Sequence, residues 1–253
     1  MVETNSREAL RGEEVAIFDF LAENMTSEQW AARLKAPLEF AAAARGDAIL
    51  SQKLFGAGAE IGVALHRAIR GRHEEVTFSL LNNADAAADV DARDKDEKTP
   101  LHVAVQSTSG PFSGTDNAWY EKVIPSLLRK GADPNAMRPA GTPLHYACSL
   151  GSPGANKALL EAGADLTLRV DCGDGAPRSA LELAAGTNTA NVVRLLVEYG
   201  ADTTAAGSLG DTPLHHAAYY SHFAEVADVC ALGRTSRHAM HATRLLFIVL
   251  RVF

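Results

Sequence analysis

Cysteine is scarce in this chain: three residues in 253, at irregular spacing. Three thiols do not make a disulfide framework, and their scarcity favours a reducing compartment. Long apolar runs are missing too. The terminal one, Leu245-Leu-Phe-Ile-Val-Leu250, has six residues, far below the roughly 20 that a bilayer span needs. The start, Met1-Val-Glu-Thr-Asn, is acidic and lacks the basic and then apolar order of a secretory leader, so an intracellular protein, cytoplasmic or nuclear, is expected. A net charge of −7 speaks against nucleic acid as the main partner. No Gly-rich phosphate loop or Ser-centred elbow is present. Gly56-Ala-Gly58 follows a helical stretch instead of opening one, which reads as a helix terminator. At 47% hydrophobic and 22% charged residues, the chain suits a soluble globular fold, not a disordered one.

What the chain does have is one tetrapeptide, three times: Thr99-Pro100-Leu101-His102, Thr142-Pro143-Leu144-His145 and Thr212-Pro213-Leu214-His215. Each runs into a small residue, at Ala104, Ala147 and Ala217. Degraded copies begin at Ser179, Val63 and Ala36. Thr-Pro opens a helix well, because Pro at the first position has a preset φ and loses no needed N–H while Thr caps the turn. Leu38, Leu65, Leu101, Leu144, Leu181 and Leu214 share one slot, the apolar side that a single unit cannot bury. Ala41, Ala68, Ala104, Ala147, Ala184 and Ala217 sit three residues later on the same face, small enough for helices to approach closely. A second helix follows, clearest at 191–199, and Gly131, Gly163, Gly200 and Gly233 end it where a left-handed conformation suits glycine.

The unit resembles the ankyrin repeat family, whose repeat of about 33 residues carries the T-P-L-H-x-A signature. Ser179 and Thr212 stand 33 residues apart, and the resemblance covers Ala36 to Gly233. It implies an all-α solenoid of about six stacked helix-turn-helix units with short β-hairpin fingers. Residues 1–35 read as an N-terminal helical cap, with Val15, Phe18, Leu21 and Trp30 on one apolar face. Residues 234–253 form a basic and apolar tail, carrying four arginines and no acidic residue. Three readings of that tail stand open: a cap on the last repeat, a peripheral membrane anchor, or an end that is not the natural one.

The spacing is irregular, and the irregularities mark loops. From Ala36 to Val63 is only 27 residues, which cuts the finger there short. From Thr99 to Thr142 is 43, with the excess in the turn-rich stretch Gln106 to Asp116. From Thr142 to Ser179 is 37, with an enlarged finger at Arg169 to Arg178. The second helix after the insertion is expected over Asp116 to Lys130, kinked at Pro125.

Catalytic and metal-binding readings fail on the sequence. His66, His102, His145 and His215 occupy one slot on successive units, a ladder suited to hydrogen bonds between repeats and not to convergence on one metal. His215-His216 with His222, and His238 with His241, lack a Cys or carboxylate cluster to complete a zinc site. Cys148 falls in a small-residue slot and reads as a buried hydrophobe. Cys172 lies between Asp171 and Asp174, whose charges disfavour a thiolate. No cofactor, no metal and no catalytic residue is expected.

The resemblance implies a non-enzymatic scaffold or adaptor, monomeric, that binds a protein partner through its concave face and fingers; the alternative is a membrane-peripheral adaptor held by the tail. The family uses the finger tips and the exposed end of the first helix. Here those positions are Arg93, Lys95, Met137, Arg138, Arg169, Ser208 and Leu209 on fingers, and Ser149, Leu150, Tyr219 and Tyr220 on helix ends. Glu97, Arg70, Gly71, Gln106, Ser107, Gly186 and Thr187 complete the two rows. Tyrosine is enriched among interface hot spots, which singles out Tyr219 and Tyr220. Trp119 and Tyr120, just past the insertion, form a second candidate patch, with burial at the start of the second helix favoured for Trp119.

Overall fold

A computed structural model describes residue 46 and residues 62–82, 90–109, 117–171, 175–187, 189–207 and 210–219. The expected N-terminal cap, the copy at Ala36, the shortened finger before Val63 and the tail lie outside the described residues. The chain divides into two units, Met1–Asp133 and Pro134–Phe253.

In the first unit, α1 (Gly62–Arg70) and α2 (Glu74–Asn82) form one helix pair. The next pair is α3 (Pro100–Gln106), extended by a 3-10 turn over Ser107–Ser109, and α4 (Asn117–Arg129). First helix packs on first helix, α1 against α3, and second on second, α2 against α4. The Thr-Pro opening works as its chemistry dictates. Thr99 accepts the His102 N–H, its own N–H bonds His102 Nδ1 at 3.3 Å, and Pro100 takes the first helical position. The helix expected near Ala64 starts two residues earlier, at Gly62.

Pro125 does not end α4, which runs through it to Arg129. The carbonyl that loses its donor belongs to Glu121, an exposed residue within reach of water, and the next carbonyl, of Lys122, accepts the Ser126 hydroxyl at 2.7 Å. Trp119 and Tyr120 are both buried, with their rings edge-to-face at 4.7 Å. The patch proposed around them is therefore core, as favoured for Trp119 and against the reading of Tyr120 as a contact residue. Tyr120 also holds Arg72, which donates from Nε to its hydroxyl at 3.1 Å and stacks its guanidinium over the ring at 5.0 Å. Arg72 sits at φ 55 between α1 and α2, a conformation costly for a non-glycine residue. The ring contact holds the strained turn in place.

The second unit contains α5 (Pro143–Ser149) and α6 (Pro153–Glu161), then α7 (Ala180–Gly186) and α8 (Ala190–Glu198), then α9 (Pro213–Tyr219). The enlarged finger is a two-stranded antiparallel hairpin, β1 (Arg169–Asp171) with β2 (Pro177–Ser179), in the register Val170 to Arg178. Helices α5, α7 and α9 pack in a row, and α6 packs on α8. Four helix starts fall where the repeat places them, at Pro100, Pro143, Ala180 and Pro213.

The core is the repeated slot. Leu65, Leu101, Leu144, Leu181 and Leu214 are buried, and so are Ala68, Ala104, Ala147, Ala184 and Ala217 three residues on. Second helices end at Gly131, Gly163 and Gly200 with φ of 94, 85 and 92. In each case the next residue bonds back five positions, as Ala164 does to Leu159 at 3.0 Å. Between α5 and α6 the same geometry uses Gly151 at φ 62, where an added Cβ would collide with the γ-methyl of Thr189 from the following loop.

Candidate functional site

The faces that carry the candidate residues are built from the fingers upward. In the first unit, the finger from Asp91 to Lys98 turns on Asp94. Its Oδ1 accepts the N–H of Asp96 and of Lys98, each at 2.9 Å, and its Oδ2 accepts Arg70 at 2.7 Å. Burial raises this carboxyl, but the backbone and Arg70 hydrogen bonds outweigh that and hold it below the usual range. The turn puts Glu97 at φ 58 and leaves Arg93 and Lys95 exposed. Lys98 Nζ donates to Gln106 Oε1 at 2.7 Å, which joins the finger base to the exposed end of α3.

Histidines join successive repeats. His145 Nε2 lies 3.1 Å from the Leu168 carbonyl and Nδ1 lies 2.7 Å from the Thr142 hydroxyl. A carbonyl only accepts, so Nε2 carries the proton and Nδ1 accepts from Thr142. Burial pushes the His145 pKa down, so the neutral ring that this pattern requires is the favoured one. His66 makes the corresponding bond to the Lys98 carbonyl at 2.7 Å. Fingers join by carboxylate and amide: Asp91 accepts the Asp133 N–H at 3.1 Å, and Asn135 accepts the Asp165 N–H at 2.7 Å.

In the second unit, three first helices present matching rows. Tyr146, Leu183 and His216, one residue beyond the histidine slot, are half-buried. Ser149, Gly186 and Tyr219 form the next row, in which Tyr219 is 82% exposed. Leu150 and Thr187 follow; Tyr220, which continues that row, lies outside the described residues. Beside this face Met137 is 41% exposed on its finger, and Arg138 bridges to Gly141. Arg138 turns inward: Nη1 donates to the Tyr146 hydroxyl at 2.6 Å and the guanidinium lies 5.4 Å from that ring's centre.

Arg169 also turns inward. Its Nη2 contacts both oxygens of Glu182, at 2.6 and 2.7 Å, and Glu182 is buried. Ser208 and Leu209, the remaining finger candidates, lie outside the described residues. The structure therefore places Arg93, Lys95, Met137, Ser149 and Tyr219 on the surface, and Leu150, Arg138 and Arg169 half-buried, the two arginines in internal bonds. Tyr146 and His216 were not among the face positions read from the sequence. Their signal was available as the unread position directly after T-P-L-H.

Cys148 is buried and free, donates to Asn156 Oδ1 at 3.0 Å, and burial pushes its thiol far up, which leaves no nucleophile. Cys172 lies outside the described residues. Among the described residues no group of three or more His, Cys, Asp or Glu side chains is placed to hold a metal, and no helix is long and apolar enough to cross a membrane.

The family model described as Ankyrin repeats (3 copies) matches residues 38–138 and 166–231, and the model described as Ankyrin repeat matches residues 141–168. The chain belongs to the ankyrin repeat family. The human B-cell lymphoma 3 protein is 35% identical over 122 residues, 47% of this chain and 24% of that protein. The Drosophila melanogaster transient receptor potential channel pyrexia is 34% identical over 145 residues, 56% of this chain and 13% of that protein. The Neurogenic locus Notch protein of the same fly is 35% identical over 133 residues, 50% of this chain and 5% of that protein. The chain thus spans a quarter or less of the length of these relatives.

Proposed function

We propose that this ankyrin-repeat chain is a non-enzymatic interaction module that binds a protein partner, inside the cell, through its first-helix faces and fingers. The observation that carries the reading is Tyr219, a ring 82% exposed at a helix end in a row whose neighbours are Ser149 and Gly186. Small neighbours leave space beside a rigid amphipathic ring, the arrangement in which interface anchors work. Membership in a family of protein-binding solenoids supports it. The inward bonds of Arg138 and Arg169 make them supports of the face rather than its anchors. Met137 and Ser149 are the accompanying contacts, and Arg93 and Lys95 are the candidates in the first unit. The free, buried thiol of Cys148 suits a reducing compartment.

The test is site-specific photo-crosslinking in cells. A benzophenone side chain at position 219 should give one dominant protein adduct that the same group at Tyr199, an exposed residue after α8, does not give. Equal or absent adducts at the two positions would count against the face. The membrane-peripheral alternative rests on residues 234–253, outside the described residues, and predicts adducts to lipid from the tail instead.

A further inference from the structure

In four places a serine or threonine stands directly before a proline: Thr99-Pro100, Thr142-Pro143, Ser152-Pro153 and Thr212-Pro213. The pattern is the same in all four, and the structure separates one from the other three. Thr99 and Thr142 are buried, and their hydroxyls lie 2.9 and 2.7 Å from Nδ1 of His102 and His145. Thr212 is half-buried, with its hydroxyl 2.8 Å from His215 Nδ1. That nitrogen also takes the Thr212 N–H at 3.2 Å, so it is the acceptor and the hydroxyl donates to it. Each threonine hydroxyl is thus spent on the histidine of its own repeat. Ser152 differs. It caps α6 in extended backbone, φ −92 and ψ 100, and its side chain makes no capping hydrogen bond. Among the described residues nothing engages its hydroxyl. The residue is half-buried, and Pro153 and Gly154 after it are exposed.

We propose that Ser152 is a phosphorylation site for a proline-directed protein kinase. Such an enzyme can select proline after the acceptor because that residue brings no N–H in need of a partner, and Ser152 presents an unengaged hydroxyl on extended chain. In the transfer, Ser152 Oγ bonds to the γ-phosphorus of ATP and the bond from that phosphorus to the β,γ-bridging oxygen breaks. ADP leaves, and the hydroxyl proton passes to the kinase's base. The product carries roughly two negative charges at neutral pH. The fold tolerates them, since they stand at the start of α6, whose first turn holds no acidic residue and where the helix dipole favours an anion. They also stand in the turn after α5, beside Leu150 and Ser149. The modification therefore changes the charge next to the face proposed to bind a partner; this consequence, unlike the site itself, rests on that reading.

Phosphorylation of the full chain by a purified mitogen-activated protein kinase with ATP, read by mass spectrometry, tests this. Each site's rate in the chain is divided by its rate in a short synthetic peptide around the same pair, so the kinase's own sequence preference cancels. The ratio for Ser152 should exceed those for Thr99, Thr142 and Thr212 at least about tenfold, because the threonines react only when their repeats open. Ser152→Ala should remove that incorporation and leave the threonine rates unchanged, while Ser152→Thr should keep it. Equal ratios at the four sites overturn the proposal, and so does an unmodified Ser152 in the folded chain. Neither result bears on the binding face, which the adduct at position 219 tests separately.

Discussion

The guanidinium of Arg169 meets both carboxylate oxygens of Glu182 at 2.6 and 2.7 Å, and the Ser179 N–H bonds the same carboxylate at 2.7 Å. Glu182 occupies the slot that His102, His145 and His215 hold in the other units. Neutral imidazole in that slot bonds its own cap and the next finger, whereas a carboxylate has no donor for a carbonyl and must find a cation instead. Arg169, from β1, is that cation, and Gly207 of the following finger leaves it room: a Cβ there would stand 3.1 Å from its Nη2.

That pairing is testable by a double-mutant cycle. Removing one partner of a buried pair strands the other charge, and Arg169→Ala leaves buried Glu182 without its cation, so it should destabilise by about 3–5 kcal/mol. Arg169 is partly exposed and can reach water, so Glu182→Ala, which leaves that charge behind, should cost less. The double variant should cost less than the sum by at least about 0.5 kcal/mol in denaturant unfolding. Strict additivity would show that the pair does not couple.

Leu144→Ala and Leu181→Ala remove buried side chains between stacked first helices. Each should cost about 2–5 kcal/mol in urea unfolding, through lost burial and the cavity left behind. Lys95→Ala, on an exposed finger turn, should stay within about 0.5 kcal/mol. If the finger variant is as damaging as the leucines, the division into core and surface is wrong.

Gly151→Ala meets two obstacles, a φ of 62 and the γ-methyl of Thr189. It should destabilise by about 1–3 kcal/mol. Thr189→Ser deletes the methyl and should recover part of that loss in the same thermal scan. The remainder measures the backbone conformation alone. No recovery would mean that the close approach is not what excludes a side chain.

The His145 pKa is pushed down from 6.5 in the folded chain by burial. The unfolded chain therefore binds the proton first as pH falls. This contribution to stability is full above about pH 6.5 and declines as pH drops from there toward the folded value. Stability should fall between pH 7 and pH 5, and His145→Gln should flatten that slope. A slope unchanged in the variant would place the titration elsewhere, for instance at His216, which burial also pushes down.

Much of the fold was legible because each repeat states it again. Thr-Pro fixed the helix starts, Leu and Ala at their shared slots fixed the buried face, and glycine fixed the ends of the second helices. The helix expected over Asp116 to Lys130 was legible as well: it runs through Pro125 from Asn117 to Arg129, and the carbonyl that the proline frees belongs to exposed Glu121. Tyr120 was misread as a candidate contact because its neighbour across space, Arg72, lies 48 residues away in the chain. The candidate face was legible as positions and not as states. Nothing in the order of residues announces that Arg138 and Arg169 spend their donors on Tyr146 and Glu182. That depends on which side chains the stacking brings together.

The most direct test of the interaction reading is the affinity of Tyr219→Ala for the partner captured at position 219, measured calorimetrically beside its melting temperature. A hot-spot ring on an open face should cost at least about 2 kcal/mol of binding when truncated. The melting temperature should barely move, since the ring is 82% exposed. Unchanged affinity with unchanged stability would contradict the account and remove α9 from the binding face.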